Sequence, residues 1–408
     1  MSDAAAAAEL AARTSYGRLV AYLAARWRDV ARAEDALGDA LLAALETWPH
    51  RGVPDYPEGW LLTAARRRLV DGARHAGVAA AAEAELTLML QEHIDDQRGT
   101  RVSDQRLALL FVCAHPAIDE AARTPLMLQT VLGLDAARIA SAFLVAPATM
   151  SQRLVRVKAK IREAGICFEV PERREMAARL EAVLDAIYAA YGSGWEDVAG
   201  ADPRRRGLAE EAIWLGRLVT RLLPDEPEAL GLLALMLHCE ARRPARRDSG
   251  GAYVPLREQD VTQWSQPMLE EAERLLKTAA RSKSPGRFQL EAAIQSAHAQ
   301  RAWTGVTDWE AIALLYEGLL RCAPTVGARV ASAAALAEAR GAETGLRALD
   351  AMAPDAVAVY QPYWALRGQL LKKLGRNTQA LDAYDRAIGL SEEAAVREFL
   401  MTRSAQMR

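Results

Sequence analysis

Cysteine is scarce in this 408-residue chain: Cys113, Cys167, Cys239 and Cys322 lie far apart, with no CxxC pair and no Cys/His ligand spacing. That pattern excludes a disulfide framework and a structural zinc site, and it fits a reduced, cytoplasmic protein. Aromatic residues make up only 6% of the chain, and no β-branched run reads as a strand, so the usual signature of a sheet protein is missing. No run of 18 apolar residues occurs, and the opening MSDAAAAAELAARTSY carries no basic segment; neither a membrane span nor a secretory leader is expected. Charge of one sign is also lacking. The net value is −2, so binding to a polyanion must come from local patches. P-loop, GxSxG and HExxH motifs are absent, and the six histidines do not pair with acids at ligand spacing. No catalytic residue, metal ligand or cofactor site is expected, and the chain does not read as an enzyme.

What remains is rich in Ala and Leu, with 51% hydrophobic residues, a composition that favours helix. The expected fold class is all-α, with length enough for two or three domains. In residues 14–76, Val30, Ala33, Leu37, Leu41, Ala44 and Trp48 follow helical steps, opposite Arg28, Asp35, Asp39 and Glu46. Pro49, Gly52 and Pro54 then break the chain. A second helix is predicted from Pro57 to about Arg74, with Trp60, Leu61, Ala64, Leu69 and Val70 apolar and Arg66–Arg68 clustered. Residues 77–103 read as a linker; from 77 to 104 six acids stand against two arginines.

The third segment, 104–165, contains a helix–turn–helix pattern. Asp135 can cap a helix running to Phe143, Leu144–Ala146 would form the turn, and Pro147 suits the first turn of the next helix. In that second helix Met150, Leu154, Val157 and Ile161 form one stripe, while the other faces carry five basic residues against the single acid Glu163. Such a basic second helix is the pattern of a DNA reader, or of an ordinary helical hairpin with a solvated face. His115, alone before Pro116 in an apolar stretch, reads as structural.

Ala31–Trp48 (ARAEDALGDALLAALETW) with Pro57–Arg74 (PEGWLLTAARRRLVDGAR) resembles region 2 of sigma-70-type RNA polymerase sigma factors of the extracytoplasmic-function class. It departs from their usual pattern at Gly38 and Arg67. Residues 104–165 resemble region 4 of the same factors. DQRLALLFVCAHPAI and IASAFLVAPATMSQRLVRVKAKI are similar to the subgroup with a long C-terminal tetratricopeptide-like extension, in which Leu-Val also occupies the turn. The resemblance implies a promoter-specificity subunit that binds the clamp helices and flap of core RNA polymerase, and promoter DNA. Glu34, Asp35, Leu37, Asp39 and Leu41 would meet the clamp. Thr63, Arg66, Arg67 and Asp71 would lie at the −10 element. Thr149, Gln152, Arg153 and Arg156 would face −35 bases, with Lys158 and Lys160 on phosphates. The acidic linker would thread the polymerase cleft.

Residues 172–408 read as successive amphipathic helices, such as Leu180, Val183, Leu184, Ile187, Tyr191 and then Ile213, Leu215, Leu218, Leu222. Near the end Trp364, Gly368, Gly375, Ala380, Tyr384 and Ala387 take positions 4, 8, 15, 20, 24 and 27 of a tetratricopeptide unit. Gly305, Gly341 and Gly375 are spaced by 36 and 34 residues. Stacked helix pairs of this kind offer a concave face for a protein or peptide partner. Residues 241–264 interrupt the helices with a turn-rich loop whose Arg242, Arg243, Arg246 and Arg247 could dock an acidic partner or simply be solvated. His298 reads as packing. The competing functional expectation is a DNA-binding regulator with a repeat-type sensor that is no polymerase subunit.

Overall fold

The computed structural model describes residues 3–75, 104–143, 145–195, 208–391 and 393–407. Its described residues are helical with no strand, and none of the helices is long and apolar enough to cross a membrane. The acidic linker and Leu144 lie outside the described residues. The helices fall into two compact units, one holding the chain to residue 194 with 208–211, the other 212–407.

In the first unit the helices are α1 (Asp3–Trp27), α2 (Val30–Arg51), α3 (Pro57–His75), α4 (Arg106–Cys113), α5 (Glu120–Thr130), α6 (Ala136–Ala142), α7 (Pro147–Glu163) and α8 (Arg173–Trp195). Asp29 caps α2 by accepting from the Arg32 N–H at 3.1 Å. Pro49 is carried inside α2, and the break falls instead at Gly52, whose φ of +83° few other residues adopt. α2 packs on α1 and α3 through Val30, Ala33, Leu37, Ala40, Ala44 and Trp48. Each large apolar side chain so buried contributes about 1.5–3 kcal/mol of transfer free energy. Trp48 meets Trp60 edge to face, ring centres 5.5 Å apart.

The helix–turn–helix limits match the sequence reading. The Asp135 carboxylate accepts from the Arg138 N–H at 2.8 Å at the start of α6, and Pro147 opens α7. The buried residues of α7 are Met150, Leu154, Val157 and Ile161. His115 supports the turn that follows it: its Nδ1 accepts from the Ala117 N–H at 3.1 Å.

One boundary moves. The expected division after Pro171 gives way to one beyond α8, because that helix is built into the first unit. The Thr124 hydroxyl donates to the Ala186 carbonyl at 3.1 Å, and the Arg179 guanidinium donates to the Phe111 carbonyl at 3.1 Å. The stripe Leu180, Val183, Leu184, Ile187 and Tyr191 is buried there.

The second unit runs through α9 (Leu208–Leu222, from residue 212), α10 (Pro227–Ala241), α11 (Gln266–Ala279), α12 (Arg287–Ala299), α13 (Arg301–Thr304), α14 (Trp309–Cys322), α15 (Val326–Arg340), α16 (Ala342–Asp350), α17 (Pro354–Val357), α18 (Gln361–Lys373), α19 (Asn377–Gly389) and α20 (Ala394–Ala405). Neighbours in sequence pack side by side: α14 on α15, α15 on α16 and α18 on α19. The glycines between helices, Gly305, Gly341 and Gly375, all have φ between +74° and +97°, which explains why glycine recurs there. At the crossing of α10 and α12 the backbones approach so closely that a Cβ on Gly231 would stand 2.6 Å from the Gln289 nitrogen. The Glu228 carboxylate takes over the capping of α12, accepting from the N–H groups of Phe288 and Gln289 at 2.9 and 3.1 Å.

The loop at 241–264 is ordered by short 3₁₀ turns and an isolated bridge between Arg247 and Tyr253. It is not a free basic patch. Arg242 is buried, donating to the His238 carbonyl at 3.2 Å and to Gln295; Arg243 pairs with Glu240, and Arg247 with Glu393.

Two histidines make this unit sensitive to acid. Burial pushes the pKa of His238 down to about 3, even with the Glu273 carboxylate 3.5 Å from its Nε2. His298, edge-on to Trp309, is pushed down to about 4 by burial and by the cations of Arg242 and Arg301. Both are neutral in the fold, whereas an unfolded histidine gains a proton below about pH 6.5. Their contribution is therefore complete above that pH and is lost as pH falls towards 4 and then 3. The slope is at most about 1.4 kcal/mol per pH unit for each. Thermal melts of the full chain from pH 7.5 to 4 should show this unit's transition falling, and His238→Asn should flatten the fall. A midpoint independent of pH over that range would contradict the assignment.

Candidate nucleic-acid interface

The first unit brings the expected polymerase and DNA residues together on α2, α3 and α7, but it sorts them differently from the sequence. On α7 the buried stripe turns Thr149, Gln152, Arg156 and Lys160 outward, with Val155 66% exposed among them. Arg153 is half-buried at the edge of the stripe. The Arg156 guanidinium donates to the Gln152 side-chain oxygen at 3.4 Å, so these two polar groups stand as a pair one turn apart. This face can present donors and acceptors to base edges in a groove.

Lys158, expected on phosphates, is turned the other way. It forms an ion pair with Glu34 of α2, and both side chains are nearly buried. Burial raises the Glu34 carboxyl above its usual range, and Lys158 pulls it back. Arg162 adds a longer contact to Asp29 at 3.5 Å. α7 thus rests on α2, and Glu34 is withdrawn from any outside partner in this arrangement.

The rest of the expected clamp face divides in two. Asp35 and Asp39 are exposed, Leu41 is half-buried, and Leu37 is 1% exposed, pointing into the bundle. Leu37 therefore holds α2 to its neighbours and cannot meet a partner. The apolar residues that do project are Leu42 and Leu45, 57% and 47% exposed. With Asp35, Gly38 and Asp39 they make a stripe at helical steps, and a Cβ on Gly38 would meet nothing. The signal was present in the sequence: 35, 38/39, 42 and 45/46 repeat at the helical period on the side away from Ala44 and Trp48.

On α3 the run of arginines separates in the same way. Arg66 is buried, donating to the Tyr22 hydroxyl at 2.6 Å and lying over its ring at 5.1 Å. It joins α3 to α1 and is no DNA ligand in this conformation. Thr63 spends its hydroxyl on the Gly59 carbonyl at 2.8 Å, a half-buried position inside the helix. Arg67 and Asp71 project outward. Arg68, also exposed, approaches Asp39 at 4.0 Å.

Residues 179–280 match a family of unknown function, DUF6596. Over 382 residues the chain is 38% identical to an uncharacterized protein of Rhizobium meliloti (strain 1021), covering 92% of this chain and 89% of that one. The chain belongs to the same family as that protein. No solved structure matches it.

Proposed function

We propose that this chain is a dissociable promoter-specificity subunit of bacterial RNA polymerase, of the sigma-70 type, carrying a tetratricopeptide-like extension. The observation that carries the reading is the division of α7. It follows α6 after a short turn, buries one apolar stripe, and leaves Thr149, Gln152, Arg156 and Lys160 as a polar reading face. The same unit holds the acidic and apolar stripe of α2, a feature that a free-standing DNA regulator does not need. For the extension, the packing of Gly368 supports the repeat reading. A Cβ there would lie 3.1 Å from the Tyr384 ring, so position 8 faces position 24 as such a unit requires. Ala380 and Ala387 are fully buried beside them.

Reading two promoter elements at once requires α3 and α7 to lie far apart on the duplex. The Lys158–Glu34 contact holds α2 and α7 together, so the arrangement seen here is a closed one. Residues 76–103, 28 in all, are chain enough for a span of about 90 Å at full extension. Promoter engagement then separates the pair and frees both charges, Lys158 for a phosphate and Glu34 for the clamp.

The reading is tested by mixing the full chain with core polymerase lacking any other specificity subunit and resolving the mixture by size. A stable complex is expected. A chain that stays apart from core polymerase yet binds promoter DNA would be the free-standing regulator instead.

A further inference from the structure

The second unit contains a cavity of about 830 Å³ between its helices and the segment 243–264. That segment is tied across it. Arg247 pairs with Glu393, Tyr253 meets Phe399 edge to face at 5.5 Å, and Glu258 pairs with Arg403 at 2.7 Å. Arg257 reaches Glu338 at 2.5 Å. The ties link the segment to α15 and to the last helix and its start, so the space is partly covered by the segment. Its volume lies within the roughly 300–1,000 Å³ of small-molecule sites. A helix about 10–12 Å across would fit for only about two turns.

The walls combine aromatic surface with excess positive charge. Tyr253, Trp309, Tyr384 and Phe399 line it, and of its charged lining residues six are Arg or Lys and two are Glu. Most of these charges are already matched: Arg403 with Glu258, and both Arg257 and Lys373 with Glu338. Arg301 and Lys372 have no carboxylate partner among the described residues. Arg301 donates only to the backbone carbonyls of Arg257 and Gln259, while lying over the Trp264 ring at 5.3 Å. Lys372 lines the chamber with no ion pair or side-chain hydrogen bond among the described residues. His298, also in the wall, is neutral at pH 7 and adds no further positive charge.

We infer that this chamber binds a small organic anion with a flat apolar body, its acid group held by Lys372 and Arg301 and its body set against the aromatic walls. Aromatic faces supply apolar contact area, and unmatched cations in a partly desolvated site favour one anionic group over a neutral one. The segment 243–264 lines the chamber from Arg246 to Trp264, which leaves less of the helix surface there for a peptide. The inference stands whether or not the chain reads promoters.

The test titrates the full chain with two fluorescent probes of similar shape, anilinonaphthalene sulfonate and the uncharged phenylnaphthylamine. One saturable site for the sulfonate is expected, with the neutral probe weaker by on the order of tenfold or more. Lys372→Glu should weaken the sulfonate by a similar factor and leave the neutral probe unchanged. Lys372→Gln should fall between, and circular dichroism of both variants should report the parent fold. Equal binding of the two probes, unsaturable binding, or sulfonate affinity untouched by Lys372→Glu would overturn the inference. So would displacement of the sulfonate by a Glu-rich hexapeptide more readily than by naphthalene sulfonate, which would make the chamber a peptide site.

Discussion

Leu42→Asp is expected to abolish association with core polymerase while leaving the chain folded. Leu42 is 57% exposed on α2, and its removal opens no cavity. Surface changes of this kind usually stay within about 0.5 kcal/mol of parent stability. In the proposed complex, however, Leu42 and Leu45 form the apolar centre of a stripe edged by Asp35 and Asp39. A charge placed in such a centre is buried without a partner. Loss of a central contact costs about 2 kcal/mol or more, a weakening of roughly thirtyfold or greater. Leu37→Asp, by contrast, would place a carboxylate at a position 1% exposed and should unfold the bundle. Comparing the two variants by thermal melting and by titration against core polymerase separates contact from folding. If Leu42→Asp bound core polymerase as tightly as the parent, the assignment of this stripe would be wrong.

Arg156→Ala is expected to reduce transcription in a promoter-dependent way, and Lys160→Ala to reduce it evenly. Arg156 is exposed beside Gln152, where a planar guanidinium can make two parallel contacts to a guanine edge. Losing such a contact costs about 1–3 kcal/mol of discrimination, roughly fivefold to 150-fold on promoters that carry the recognised base, and little elsewhere. Lys160 stands one turn further on, also exposed. A lysine on a phosphate sets affinity without sequence information, so its loss should lower the magnitude of the salt slope by about one on every promoter. A panel of −35 variants measured at several salt concentrations distinguishes the two. Equal behaviour of both alanines across the panel would refute the division of roles.

Some of this architecture was legible in the sequence because the deciding interactions are local. Asp135 caps the helix that follows it, Pro147 starts the next, and four apolar residues at helical spacing mark the buried side of α7. The glycines at 305, 341 and 375 likewise announced the breaks between helices. Where the deciding partner lies far along the chain, the pattern was ambiguous. α2 carries leucines at 37, 41, 42 and 45 among many alanines, and periodicity alone does not say which of them meets α1 and α3. The arginines at 66–68 look like one patch in the sequence. One helical step of about 100° nevertheless sends Arg66 inward to Tyr22, 44 residues away, while Arg67 and Arg68 stay outside. Lys158 meets Glu34 across 124 residues, and α8 joins the first unit through Thr124. The arginines at 242–247 look in the sequence like a solvated basic loop or a dock for an acidic partner, because Gln295 and Glu393 give no local sign of their role.

The proposed closed form adds a consequence for regulation. Release of α7 from α2 is the step on which a signal received by the second unit could act. If the extension holds the first unit closed, truncation should raise transcription. If it is needed for productive initiation, truncation should lower it. The cut belongs after the first unit, at about residue 194 and not at Pro171, since removing α8 would strip partners from Thr124 and Phe111.

The central claim is tested most directly by run-off transcription from a promoter-bearing template library, using core polymerase with and without the full chain. Discrete transcripts that appear only when the chain is added, and share upstream elements at −10 and −35, are the predicted result. Core polymerase that gives no promoter-directed transcript with the chain present, under conditions where the two proteins are folded and mixed at micromolar concentration, would contradict it.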